Sequence, residues 1–66
     1  MERFGYNWEE YQRLIERCPF SEEERRVFDL RRRGKSVIEI SMALNMSPRT
    51  VGRRLDSVKN KIAREA

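Results

Sequence analysis

An all-α fold of four short helices is predicted by three features of the sequence. A capping residue stands three positions ahead of a glutamate at three places, a stop signal falls about one helix length after each start, and apolar residues recur between them with the helical period. Asn7 with Glu10, Ser21 with Glu24 and Ser36 with Glu39 are the three pairs. In each, the cap side chain can accept from the backbone N–H three residues on while the glutamate accepts from the cap's own N–H, so two orphan donors of the first turn are satisfied together.

The first helix spans about 8–17, opened by Asn7 and closed by Cys18-Pro19, because the residue before a proline is pushed out of the helical region. Trp8, Tyr11, Ile15 and Cys18 share its apolar face. The second, about 22–33, starts after Ser21 and ends at Gly34, with Arg31, Arg32 and Arg33 in its last turn where the helix dipole favours cations. Val27, Phe28 and Leu30 are its inward residues. The third, about 37–44, runs from Ser36 to Asn45, a residue able to take the left-handed conformation of a tight turn, and offers Val37, Ile40 and Leu44. The fourth, about 48–64, begins with Ser47-Pro48, where proline's missing N–H costs nothing. Val51, Leu55, Val58 and Ile62 form its inner stripe, which leaves Arg49, Arg53, Asp56 and Asn60 outside, flanked by Thr50, Gly52, Ser57 and Arg64. Trp8, Tyr11, Phe20 and Phe28 are expected in the core, since so short a chain needs its aromatic residues for burial, and Cys18 is expected there as a small hydrophobe.

With 66 residues and no repeat, linker or low-complexity tract, residues 1–66 read as one domain with an N-terminal helical extension over 1–19, and the start at Met1 reads as a free-standing small protein. A single cysteine and the absence of histidine remove an intrachain disulfide, a cysteine-based zinc cluster and the usual general base, so neither a cofactor nor catalysis is expected. No apolar run approaches the roughly 20 residues of a membrane span, which leaves a cytoplasmic protein with no membrane partner as the expectation. The net charge of +4 is unevenly spread: residues 1–24 carry seven acids and three bases, residues 25–66 twelve bases and four acids. Such a basic body favours a polyanion at one surface through phosphate neutralisation and counterion release.

Only three residues separate the third and fourth helices, which forces a steep crossing of the kind found in a helix-turn-helix. Ser41 is small where the two helices approach, Asn45 sits at the sharp turn, Met46 can plug the corner, and Val51 and Leu55 anchor the second helix from beneath. The run FSEEERRVFDLRRRGKSVIEISMALNMSPRTVGRRLDSVKNKI, residues 20–62, resembles the helix-turn-helix superfamily that includes LuxR-type (GerE-like) DNA-binding domains and region 4 of bacterial sigma factors. The likeness is carried by Ser21 with Glu24, the Gly34-Lys35-Ser36 turn, Glu39-Ile40-Ser41, Ser47-Pro48-Arg49-Thr50-Val51, Leu55 and the stretch from Lys59 to Ile62. Ser41 stands where the family usually has alanine and Asn45 where glycine is common, both sterically acceptable replacements.

The resemblance implies a sequence-specific regulator of transcription, bacterial or phage, that reads double-stranded DNA in the major groove with the helix starting at Ser47. Base contacts are then expected from Arg49, Gly52, Arg53 and Asp56. A guanidinium can take both O6 and N7 of a guanine, and a carboxylate can accept from a cytosine amino group or pair with Arg53 or Lys59 along the helix. Gly52 sits inside a helix, where glycine costs about 1 kcal/mol relative to alanine. Close approach to a base or groove wall is one reason for it, and tolerance by a well-packed helix is another. Phosphate contacts are expected from Lys35, Ser47, Thr50, Arg54, Ser57 and Lys59, with Ser47 serving first as the helix cap. The alternative implied by the same resemblance is a sigma region 4-like domain that docks on RNA polymerase or a sigma antagonist; the acidic, aromatic-rich segment 1–24 motivates it, with residues 1–19 as the contact. A homodimer is the expected assembly, paired through the end of the fourth helix around Ile62 and Ala63; the alternative is that residues 1–19 supply the contact to a partner.

Overall fold

A computed structural model describes residues 5–65. Four helices follow one another in it: α1 (Trp8–Arg17), α2 (Glu22–Arg32), α3 (Val37–Leu44) and α4 (Pro48–Glu65). All three capping boxes form. Asn7 Oδ1, Ser21 Oγ and Ser36 Oγ accept from the N–H groups of Glu10, Glu24 and Glu39 at 2.8, 3.1 and 3.1 Å, and each glutamate accepts from its cap's N–H at 2.8–3.0 Å. The stops are equally local in origin. Cys18 turns extended before Pro19, and Gly34 takes φ +94° after α2, a conformation open to glycine at little cost. The α2 helix closes one residue before the expected Arg33, because the Arg33 N–H already points at Leu30 and Asp29 in a tightened last turn. Asn45 ends α3 with φ 56° and ψ 44°, its N–H and that of Met46 both returning to the Ser41 carbonyl.

The buried side chains come from all four helices. Val27, Phe28, Ile40, Val51 and Val58 are sealed from solvent, and Tyr11, Cys18 and Leu55 are nearly so. Helix α4 lies across α2 and α3 through Val51, Leu55 and Val58, with Ile62, Leu44 and Met46 half-buried at the margins. Phe28 is the hub for the N-terminal part: the rings of Tyr6, Tyr11 and Phe20 meet it edge-on at 5.6, 5.0 and 5.7 Å between centroids. Burial pushes the Cys18 thiol above its usual range, with Glu65 adding to the shift, so it stays protonated.

One expected core residue is not there. Trp8 is 55% exposed and lies outside the cluster, tilted over Tyr11 at 5.7 Å. Tyr11 already fills the place against Phe28, and the indole at the first position of α1 overhangs it. Its underside is met by the Arg32 guanidinium, 5.2 Å from the indole and 4.7 Å from the Tyr11 ring, while Asp29 holds the same guanidinium at 2.8 Å. Ile38 and Met42, one turn apart on α3, are also exposed. Among the described residues no helix is long and apolar enough to cross a membrane.

Candidate nucleic-acid interface

The short Asn45–Ser47 turn sets α4 against α3, and the Ser47 hydroxyl secures its first turn. Ser47 Oγ accepts from the Thr50 N–H at 3.1 Å and donates to Thr50 Oγ1 at 2.9 Å, so cap and third residue are tied into one unit. Both hydroxyls lie at the start of the helix, where Pro48 has no N–H to satisfy and the Thr50 N–H is met by Ser47. With Val51, Leu55 and Val58 buried beneath, Arg49, Arg53, Asp56 and Asn60 stand exposed along the opposite side. Among the described residues Arg49 and Arg53 engage no carboxylate and no hydrogen-bond acceptor. Asp56 lies 3.8 Å from Lys59, a loose pair one turn apart. Gly52 is half-buried beside Arg53. Lys35 lies exposed in the turn before α3, where its carbonyl accepts from Arg31 at 2.8 Å and its ammonium is left to solvent.

The two flanks of α4 differ, and this the sequence does not reveal. Arg54 and Ser57 lie on the flank turned to the acidic first turn of α2. Arg54 pairs with Glu23 at 2.9 Å, and the Ser57 hydroxyl donates to Glu24 Oε2. Lys61, for which sequence reasoning has no role beyond family likeness, completes the arrangement: its ammonium donates to Glu24 Oε1 at 2.7 Å and to the Pro19 carbonyl at 2.9 Å. One buried carboxylate thus takes hydrogen bonds from the Ser21 backbone, Ser57 and Lys61, and joins the start of α2 to the middle of α4. Burial opposes its charge, but the Lys61 and Ser57 side chains, the Ser21 N–H and the Lys61 charge together outweigh that and hold the carboxyl at about 2. The signal for this contact is the spacing of Ser57 and Lys61, one turn apart on the margin of the apolar stripe; nothing in it names Glu24, over thirty residues earlier.

Of the residues expected at the interface, Arg49, Arg53 and Asp56 thus share one open face with Gly52 at its edge, Ser47 and Thr50 stand at its start and Lys59 at its margin, while Lys35 lies exposed in the turn before α3. Arg54 and Ser57 are turned to α2 instead. No curated protein and no solved structure matches the chain. A family does: residues 18–64, more than two-thirds of the chain, match the bacterial regulatory proteins of the luxR family, and α1 lies ahead of the matched region. Taken with the α3–turn–α4 geometry and the open cationic face of α4, this match means that the chain belongs to the luxR family of bacterial regulatory proteins and carries that family's DNA-binding, helix-turn-helix domain of transcription regulators.

Proposed function

We propose that the chain, as one domain, binds double-stranded DNA sequence-specifically in the bacterial cytoplasm, with the N-terminal half of α4 in the major groove. Arg49 and Arg53 reach base edges, Gly52 and Asp56 line the same contact, and Thr50 with Lys35 and Lys59 hold the flanking phosphates. Ser47 contributes chiefly by capping α4. The Arg54 and Ser57 side chains reach phosphate only by leaving Glu23 and Glu24, so their main part is to seat the helix. The observation that carries the reading is the contrast between the two sides of α4: the cations toward α2 are paired with acids, whereas Arg49 and Arg53 on the outer face have no partner among the described residues. Unpaired guanidinium groups on a rigid helix present their full donor set to a base at no cost in broken ion pairs. The test is a gel shift on duplexes chosen from a random pool by the protein itself. Arg49→Ala and Arg53→Ala are expected to lose sequence preference; unchanged affinity and preference in both would remove the groove-reading assignment.

A second reading, docking on RNA polymerase or a sigma antagonist through residues 1–19, draws on the exposed Trp8 indole of α1, which lies outside the family match. Residues 1–4 of that segment lie outside the described residues. Capture of core polymerase by the full chain, lost in Trp8→Ala, is its expected result, and equal capture by both would end it.

A further inference from the structure

Gly52 stands in the second turn of an 18-residue helix, and nothing among the described residues requires a glycine there. Its backbone is right-handed: Gly34 is the glycine with positive φ among the described residues. A methyl group built on Gly52 would meet no side chain and no backbone of another element within 4 Å, so close packing is no reason either. A helix-interior glycine that serves neither conformation nor internal contact still weakens the helix. Neither backbone conformation nor internal contact accounts for the glycine.

We infer that Gly52 is a thymine-reading position, its missing side chain leaving a hollow on the groove side of α4 that takes the C5-methyl of a thymine. The inference rests on the groove-docking proposal above and deepens it. By register Gly52 is three residues after Arg49 and four before Asp56, both exposed, and it adjoins exposed Arg53, so long polar side chains surround a position with none. Pro48, also exposed, lies one turn earlier on the same side. What Gly52 itself presents there is its Cα–H alone, with open space above it. Inside a helix the Gly52 N–H is spent on the carbonyl four residues back, so the site has no donor to offer a phosphate or a guanine. Among the four bases thymine alone presents a methyl in the major groove, and an apolar surface is what meets it. Arginines on either side would read guanines next to it, so the recognised step combines guanine and thymine.

The duplex selected from a random pool by the full chain provides the probe. Each thymine in it is replaced in turn by deoxyuridine, which removes the methyl and leaves base pairing intact. One replacement is expected to weaken binding about fourfold, the worth of a buried methyl. The Gly52→Ala variant is expected to melt about 4–8 °C higher, since alanine favours the helix and meets no clash. It should bind the thymine duplex about tenfold more weakly than the parent, as for a mismatched position, and no longer distinguish thymine from deoxyuridine. Parent-like affinity and thymine preference in Gly52→Ala, or no thymine that responds to demethylation, overturns the inference. If Arg53→Ala still abolishes sequence preference, the groove-docking reading survives that result; if the parent chain binds no duplex, both fall.

Discussion

Arg53 stands exposed on the face of α4 opposite Val51, Leu55 and Val58 and supports no ion pair among the described residues. Its replacement by alanine therefore tests recognition almost free of stability. The expected change in unfolding free energy is within about 0.5 kcal/mol. The expected loss of discrimination between the selected duplex and one altered at the contacted base is about 1–3 kcal/mol. Lys59→Ala should behave differently, lowering affinity for all duplexes alike and reducing the dependence of log Kd on log salt by about one. Titrations of both variants against matched and altered duplexes at two salt concentrations separate the two roles; a sequence-dependent loss in Lys59→Ala or a uniform one in Arg53→Ala would reverse the assignments. At this scale the sequence was legible wherever a local rule decides. Asn45 takes the left-handed turn and Ser47 caps α4 because each depends only on neighbours. Trp8 was not legible: its spacing places it on the Tyr11 face, but competition for the space beside Phe28 is decided by three-dimensional fit.

Seating α4 is the task of the elements around it. Helices α1 and α3 were readable to the residue and α2 and α4 to within one at their ends, because capping boxes, Pro19, Gly34 and Asn45 punctuate them locally. The docking of α2 on α4 was readable only as apolar stripes. Its polar part, Glu24 with Ser57 and Lys61, joins residues more than thirty positions apart and leaves no periodic trace. A consequence for pH follows from Glu24. Its carboxyl titrates at about 2 in the folded chain and near the ordinary 4.5 when unfolded. The depressed value means that the stabilisation is complete above the unfolded value and is lost as pH falls toward the folded one. Glu24→Gln is therefore expected to destabilise the protein by about 2 kcal/mol at neutral pH, the worth of hydrogen bonds to a buried charge. Most of that difference should vanish by about pH 2.5, where an unfolded glutamate is already protonated. Urea unfolding of both proteins at the two pH values measures it, and a gap that stays constant with pH would show that the Glu24 charge contributes nothing to the seat.

For the whole molecule the relevant quantities are charge and contact area. Two of the acids that offset the basic body are turned away from the open face: Glu23 and Glu24 meet Arg54 and Lys61 on the α2 side of α4, whereas Asp56 stands on the open face beside Arg49 and Arg53. Binding should then weaken steeply with salt, with a log–log slope reflecting roughly 4 to 6 neutralised phosphates. A salt-insensitive affinity would contradict groove docking. Contact area points to a second copy. A single module of this size buries about 600–1,000 Å² on DNA, low for a specific complex, and two copies on half-sites about one helical turn apart would supply the rest. The end of α4 is available for such pairing, with Ala63 exposed and Ile62 half-buried, and near it Glu10, Arg13, Arg17 and Glu65 line a groove of about 300 Å³ floored by Tyr6, Leu14 and Ile62. Two acids and two arginines around this groove would let each copy's acids meet the other's bases in a twofold pair. The expectation is two chains per selected duplex, a palindromic site, and weakened assembly in Ala63→Glu, an exposed position outside the helix-turn-helix face. Light scattering at micromolar concentration, with and without duplex, decides it. A chain that stays single and binds DNA one to one, at the same affinity in parent and variant, would rule out the pair and leave a larger partner, reached through α1, as the source of the missing contact area.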